Sequence, residues 1–172
     1  MKEPVIKELL NILPQRGKVM SLTIRSKRRI SPEYLTEVMA NKGSGLEGDH
    51  FQSKNNKREV TLIQAEHLSV VASILQKDIP LHLTRRNILV SGINLLALKG
   101  KYFQIGEAVF EGTGECHPCS RMEENFGPGG YNTMRGHGGI TARIIQSGKI
   151  VIGDPVFLIE SPVDHEVINQ PQ

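Results

Sequence analysis

The two cysteines of the chain, Cys116 and Cys119, are separated by two residues and carry the most reactive side chains in the sequence. The pattern Ser120-x-x-Glu123 follows them directly and predicts a helix start with a capping box. A thiol at that position meets the positive end of the helix dipole, and Arg121 adds positive charge. Both effects favour the thiolate, which is the form that binds metals or attacks electrophiles. Cys119, nearer the helix start, is therefore the better candidate for chemistry.

Four interpretations of this cysteine pair are open from the residues alone. Free cysteines are often simply small apolar core residues. A structural zinc site needs four ligands, and beyond the cysteines only His137 is a candidate, because His117 lies between the two cysteines. A thioredoxin-like dithiol has this spacing but belongs early in a βαβ pattern, which we do not predict here. The fourth interpretation is a single thiolate that binds a soft metal within a cofactor.

A glycine-rich segment follows the cysteines, with six glycines among residues 127–139. Glycine permits positive φ and lets backbone N–H groups approach an anion or a ring closely, so the segment predicts either a cover over a cofactor or a surface loop. Arg135 and His137 lie within it and could extend into a pocket. Because histidine titrates near neutral pH, His137 is the candidate proton donor or acceptor.

Arginine and asparagine side chains that suit a phosphate precede the predicted strand 88–90. Arg85 can bind a phosphate through two parallel hydrogen bonds, and the amide of Asn87 both donates and accepts. A second basic cluster ends the first predicted strand and consists of Arg25, Lys27, Arg28 and Arg29. We interpret this second cluster as a solvated strand end rather than a phosphate site.

The elements that must position these residues are short. A helix over 4–13 has its apolar residues on one face and is predicted to dock on the body, and 65–76 has the best helical pattern in the chain. Runs of β-forming residues predict strands at 19–24, 35–38, 60–63, 88–90, 102–105, 108–110, 141–145, 149–152 and 156–159. Because strands and helices do not alternate regularly, we predict a mainly β, antiparallel barrel or sandwich with a few attached helices.

Length and composition suggest one domain. The chain has 172 residues, 38% of them hydrophobic, and a formal net charge of +3. We expect the domain to occupy residues 1–160, with a core at about 19–158 and a polar C-terminal tail at 161–172. Two cysteines indicate a reducing, cytoplasmic setting. We expect no membrane partner, because no apolar run could span a bilayer. We expect no nucleic-acid partner either, because the net positive charge is small.

The order of the motifs resembles the MOSC domain, the C-terminal domain of molybdenum cofactor sulfurases that also occurs as stand-alone bacterial proteins. The resemblance covers residues 19–158. The matching residues, in chain order, are Gly45-Leu46-Glu47-Gly48-Asp49, Arg58, Val60-Thr61-Leu62-Ile63, Arg85-x-Asn87-Ile88, Ile105-Gly106, Cys116 and Cys119, Gly138-Gly139 and Gly153-Asp154-Pro155-Val156. Each piece alone is weak, but the ordered set is specific.

This resemblance implies a barrel-like MOSC fold and a molybdenum cofactor, a pyranopterin with a terminal phosphate. Cys119 would bind molybdenum through its sulfur, and Arg85 and Asn87 would hold the phosphate. Asp49 and Arg58 are framework residues of the motif that could form an ion pair and shape the pocket. The remaining candidates for cofactor binding are Cys116, Arg135, Gly138 and Gly139.

The resemblance implies two alternative activities. Some members, such as the mitochondrial amidoxime-reducing component, reduce N-hydroxylated compounds, whereas others are proposed to carry sulfur from a pyridoxal-phosphate-dependent desulfurase. The leading expectation is an oxidoreductase for small N-hydroxylated substrates that takes electrons from a partner reductase, since no flavin, haem or iron–sulfur motif is present. The alternative is a sulfur carrier with a persulfide on Cys119, which would meet pyridoxal phosphate only through a partner cysteine desulfurase. A third, cofactor-free binding module would use the cysteines structurally.

Overall fold

The computed structural model describes residues 5–51 and 55–162 and is built mainly from strands. In this part of the chain the α-helices are α1 (Ile6–Leu9), α2 (Ala65–Leu75), α3 (Leu81–Thr84), α4 (Ser120–Phe126) and α5 (Gly130–Met134), and a 3-10 helix spans Leu95–Leu98. The strands are β1 (Gly17–Ile24), β2 (Glu33–Leu35), β3 (Glu37–Asn41), β4 (Gly45–Leu46), β5 (Val60–Gln64), β6 (Ile88–Ser91), β7 (Tyr102–Ile105), β8 (Ala108–Glu115), β9 (Ile140–Gln146), β10 (Gly148–Val151) and β11 (Pro155–Ile159).

Seven strands close into a barrel in the order β1-β11-β7-β8-β9-β5-β6, because β6 also pairs with β1. Strand β2 extends β1 outside the ring, and β10, β3 and β4 form a separate small sheet. All pairs in the ring are antiparallel except β5 and β6, which are parallel and joined through α2 and α3. The predicted mainly β, barrel-like fold with attached helices is confirmed, with one β–α–β unit inside it.

The barrel interior is filled by alternate side chains of its strands. Val60 and Leu62 of β5 point inward, and Phe103 and Phe110 of β7 and β8 stack at 5.5 Å between ring centroids. These side chains are fully buried, and burying one such side chain contributes about 1.5–3 kcal/mol. The apolar alternation along each short strand therefore fixes which face turns inward.

A second apolar cluster covers the outer face of β5 and holds the helices. Ile63 of β5 packs there with residues of α2, α4 and α5, among them Val71, Met122 and Met134. Helix α2 ends where Gln76 adopts the left-handed conformation, with φ of 54°. This cluster fixes α4 against the barrel, and α4 is the helix that begins directly after Cys119.

Three predicted elements differ in the structure. The N-terminal helix is a single turn, α1, and its side chains are exposed, so its predicted docking is wrong. A single turn contains too few residues to bury a continuous apolar face. Beyond it, Leu13 packs against the barrel core. The predicted strand 35–38 is divided at Thr36 between β2 and β3, which belong to different sheets. Strand β8 extends to Glu115, much further than the predicted 108–110.

Other sequence expectations concern the ends of the chain and membranes. Of the predicted polar tail, residues 163–172 lie outside the described residues. Among the helices that the structure describes, none is long and apolar enough to cross a bilayer.

Candidate functional site

A cavity of about 870 Å³ lies at one end of the barrel. Because β5 and β6 are parallel, the residues that precede both strands meet at this end, namely Arg58 and Glu59 before β5 and residues 85–87 before β6. Strand β1 is antiparallel to β6, so Arg25, which follows its last residue, reaches the same place. The loop after β8 completes the wall with Cys119.

The two cysteines differ sharply in their surroundings. Cys119 is exposed, lines the cavity and is the residue that precedes the first turn of α4. Cys116 is buried, with 2% of its surface accessible, and does not line the main cavity. Both are free thiols. Of the two, only Cys119 presents its sulfur-bearing side chain to a ligand in the cavity.

The predicted capping box at the start of α4 is absent. No side chain caps the helix, and the Glu123 carboxylate instead accepts hydrogen bonds from the backbone N–H groups of Gly129 and Tyr131, at 2.8 and 2.9 Å. These two bonds lower the pKa of Glu123. The prediction is wrong because the chain turns back after α4 and offers free N–H groups that the local sequence pattern does not reveal.

Arg58 contacts a cysteine rather than an aspartate. Its Nη2 donates to Cys116 Sγ at 3.2 Å, while Asp49 Oδ1 accepts from the backbone N–H of Arg25 at 2.7 Å. Within the described residues no ion pair joins Asp49 and Arg58, so the pair that the motif allowed does not form. Both residues nevertheless line the cavity.

Arg86, which sequence reasoning did not assign, is the buried centre of the site, with 4% of its surface accessible. Its Nε donates to Gly138 O at 2.8 Å, its Nη1 to Thr84 O at 2.8 Å and its Nη2 to Cys116 O at 3.0 Å. Burial lowers the pKa of Arg86, and the neighbouring Cys116 thiol opposes that effect. Its sequence signal is a charged residue two positions before a buried strand, and the neighbouring Arg85 shares that signal. Arg86 therefore fixes the backbone of the cysteine loop.

Asn87 ties three strands together. Its Oδ1 accepts from the backbone N–H and the hydroxyl of Thr61, at 3.1 and 2.9 Å, and its Nδ2 donates to Thr23 O at 3.3 Å. Because the amide nitrogen carries two hydrogens, one N–H is left for a ligand in the cavity that Asn87 lines. The structure therefore shows Asn87 as a structural link between β1, β5 and β6 at the cavity wall.

The glycine-rich segment supports the cysteine loop from behind and does not cover the cavity. Cys116 N donates to Gly139 O at 2.8 Å, and the Gly138 carbonyl accepts from Arg86. A Cβ at Gly138 would lie 2.1 Å from Cys116 O, and one at Gly139 would lie 1.8 Å from Leu62 O. The glycines allow these close backbone approaches within the protein itself.

His137 and Arg135 lie away from the main cavity, so the structure does not bring them together with Cys119. His137 Nδ1 is 2.8 Å from Thr133 O, and its ring packs edge-on against His67 at 5.3 Å. Arg135 is exposed where α5 ends. Burial, followed by the charge of His137, lowers the pKa of His67.

Comparison with known proteins identifies the family. The family model of the MOSC domain matches residues 48–157, which is most of the barrel and all of the cysteine loop. The chain belongs to the MOSC domain family. No protein with a curated description matches the sequence.

Solved structures share the fold of this MOSC domain at low sequence identity. The YuaD protein from Bacillus subtilis superposes with a TM-score of 0.73 at 18% identity, covering 84% of this chain and 97% of that one. YiiM from Geobacillus stearothermophilus gives 0.69 at 17% identity, covering 84% and 75%. YiiM from Escherichia coli gives 0.62 at 20% identity, covering 84% and 70%.

MOSC domains are associated in general with molybdenum cofactor binding, and the cavity residues fit that group. Arg25 Nε is buried and has no hydrogen-bond partner among the described residues, although it lies at the cavity wall. Burial, and then the charge of Arg85, lowers the pKa of Arg25, while Asp49 opposes this. Two guanidinium groups that repel each other suit a bound phosphate, and a thiolate of Cys119 suits molybdenum.

Proposed function

We propose that this MOSC protein binds a molybdenum cofactor in the cavity and reduces small N-hydroxylated compounds with electrons from a partner reductase. The observation that carries the proposal is the exposed thiol of Cys119 in the same cavity as Arg25 and Arg85. Among the described residues neither guanidinium is paired with a carboxylate. One cavity therefore offers both a soft metal ligand and a phosphate anchor.

Each residue of the cavity has a separate task in this proposal. Cys119 would hold molybdenum as a thiolate, Arg85 and Arg25 would hold the pterin phosphate, and Arg86 keeps the cysteine loop in place. When bound, the cofactor would supply the redox chemistry that these side chains lack. Reduction of an N-hydroxyl group to an amine consumes electrons and protons and releases water, and the electrons come from the partner.

The test is metal analysis of protein expressed in a host that makes the cofactor. We expect stoichiometric molybdenum in the wild type, its loss in Cys119→Ala, and its retention in the matched control Cys116→Ala, because Cys116 does not line the cavity. Arg85→Ala should lower the pterin content without unfolding the chain, which a cofactor-free binding module would not show. Metal-free wild-type protein from such a host would contradict the proposal.

A sulfur-carrier function is the second candidate, and the exposure of Cys119 favours it. In that function the Cys119 thiolate attacks the persulfide of a cysteine desulfurase, takes its outer sulfur and releases the desulfurase thiolate. Incubation with a desulfurase and isotopically labelled cysteine would then leave label on Cys119 and none on Cys119→Ala. Label on metal-free protein, without reduction of N-hydroxylated compounds, would favour this function over the first.

A further inference from the structure

The turn that joins β1 to β2 brings two more cations to the cavity. Lys27 and Arg28 are exposed and line it, whereas the next residue, Arg29, does not. Arg29 has a positive φ of 65° and does not line the cavity. Three consecutive basic residues are therefore divided into two that face the cavity and one that does not.

Each carboxylate that lines the cavity has a hydrogen-bond or ionic partner other than the two cations of the turn. Asp49 accepts from the backbone N–H of Arg25, Glu115 pairs with Lys99 at 3.4 Å, and buried Glu59 accepts from the backbone N–H of Ile144. In the part of the chain that the structure describes, no ion pair involves the two cations of the turn. The cavity therefore has positive charge that its own acids do not pair.

This positive charge exceeds what one phosphate group requires. Arg25 and Arg85 already provide two guanidinium groups for the cofactor phosphate, and Arg25 lies deeper than the turn, with its Nε buried. Lys27 and Arg28 are exposed beyond it at the solvent side of the cavity. A group that enters after the cofactor would meet these two cations first.

We propose that Lys27 and Arg28 form a subsite for a phosphate group on the substrate, so that the preferred N-hydroxylated substrates are phosphorylated. The inference rests on the proposed reductase function for its reaction, but the subsite itself is a binding property. A phosphate between an ammonium and a guanidinium gains charge-assisted hydrogen bonds from both. Because both cations are solvent-exposed, the preference should weaken as ionic strength rises.

The second phosphate group has one other source that fits the same chemistry. A cofactor extended by a nucleotide also carries an additional phosphate, and the turn could hold that group instead. The two sources predict different losses when the charges are removed. A substrate subsite affects substrate selection and leaves cofactor content alone, whereas a nucleotide subsite affects cofactor retention.

The experiment compares the double variant Lys27→Ser/Arg28→Ser with the control Arg29→Asn, both in the holoenzyme. Asparagine is chosen at position 29 because it tolerates positive φ. The probes are an aryl amidoxime and the same compound with a phosphate group on its ring. Binding of both probes is measured by calorimetry, reduction by kcat/KM, and molybdenum and pterin content by direct analysis.

We expect the double variant to lower the preference for the phosphorylated probe about tenfold in both binding and kcat/KM, and Arg29→Asn to leave it unchanged. The binding ratio is informative even if neither probe is reduced, so failure of the reductase function is distinguishable from failure of the subsite. An unchanged preference overturns the inference. Loss of cofactor from the double variant also overturns it, in favour of a nucleotide-extended cofactor.

Discussion

Replacing Arg86 should loosen the cysteine loop, because this one side chain connects three backbone segments. Its guanidinium donates to the carbonyls of Thr84, Gly138 and Cys116, all within 3.0 Å. Lysine keeps the charge but places it on a single ammonium, whose donors cannot match a planar fork. Arg86→Lys therefore tests the geometry of the group separately from its charge.

The magnitude follows from these three bonds. A hydrogen bond to a charged group contributes about 1.5–3 kcal/mol, so losing two of the three costs about 3–6 kcal/mol. Folded domains are stable by only about 5–15 kcal/mol, so this is a large fraction of the total. For a chain of this length, each kcal/mol lowers Tm by about 2–4 °C, which gives a decrease of about 6–24 °C.

Thermal unfolding of the wild type, Arg86→Lys and the neighbouring exposed control Arg85→Lys is the assay. The control should shift Tm little, because exposed substitutions usually change stability by no more than about 0.5 kcal/mol. We also expect faster alkylation of the buried Cys116 thiol in Arg86→Lys, since the loop that buries it loses its anchor. A Tm equal to that of Arg85→Lys would refute this reasoning.

A second variant separates the bonds from the cost of burying the charge. Arg86→Met removes the charge and leaves the carbonyls of Thr84, Gly138 and Cys116 without their donor. Since unsatisfied buried carbonyls are costly, we expect it to be destabilised as well. If Arg86→Met were as stable as the wild type, the free-energy cost of burying the guanidinium would equal the stabilisation from its hydrogen bonds.

Three further predictions concern residues around the site. The lowered pKa of His67 means that its protonated form is disfavoured in the folded state. The free energy of unfolding should therefore fall as pH drops below about 6.5. Denaturant titrations at pH 5–7.5 should show a flatter pH dependence for His67→Gln than for the wild type. Gly139→Ala should lower the free energy of unfolding by several times the roughly 1–2 kcal/mol expected for Gly136→Ala. Both glycines have positive φ, but of the two only Gly139 has a backbone oxygen where the Cβ would lie. Equal decreases in the two variants would contradict the packing argument. Glu59→Ala should lower the free energy of unfolding by about 1–3 kcal/mol, because it leaves the buried N–H of Ile144 unpaired. Glu59→Gln should lower it less in chemical denaturation, because its amide oxygen can still accept that hydrogen bond.

Much of the fold could be predicted from local patterns. The alternation in β5 and the helical spacing of α2 are clear in the sequence, and both elements form within a residue or two of the predicted limits. The parallel pairing of β5 with β6 was missed, although the strand, helix and strand that form it were each predicted. Local patterns specify the period of each element, whereas partner choice depends on contacts far apart in sequence.

The candidate site was predictable where chemistry is tied to residue type, and not where it depends on which group a residue contacts. Spacing placed Cys119 at a helix start, and the structure has it there. The glycines at 138 and 139 signalled close backbone approach correctly, and the structure shows the protein's own chain making that approach. Arg86 was missed because nothing in Arg85-Arg86-Asn87 says which arginine turns inward.

Closure of the barrel has a consequence for how the protein is made. The ring is completed where Gly17 and Lys18 of β1 meet Val156 and Pro155 of β11, the first and last strands that the structure describes. Pairing so distant in sequence requires a large loop-closure entropy and slows folding. During synthesis β1 has no closing partner until the last strand has left the ribosome. We therefore expect any cofactor to be bound only after β11 has been synthesised and has paired with β1.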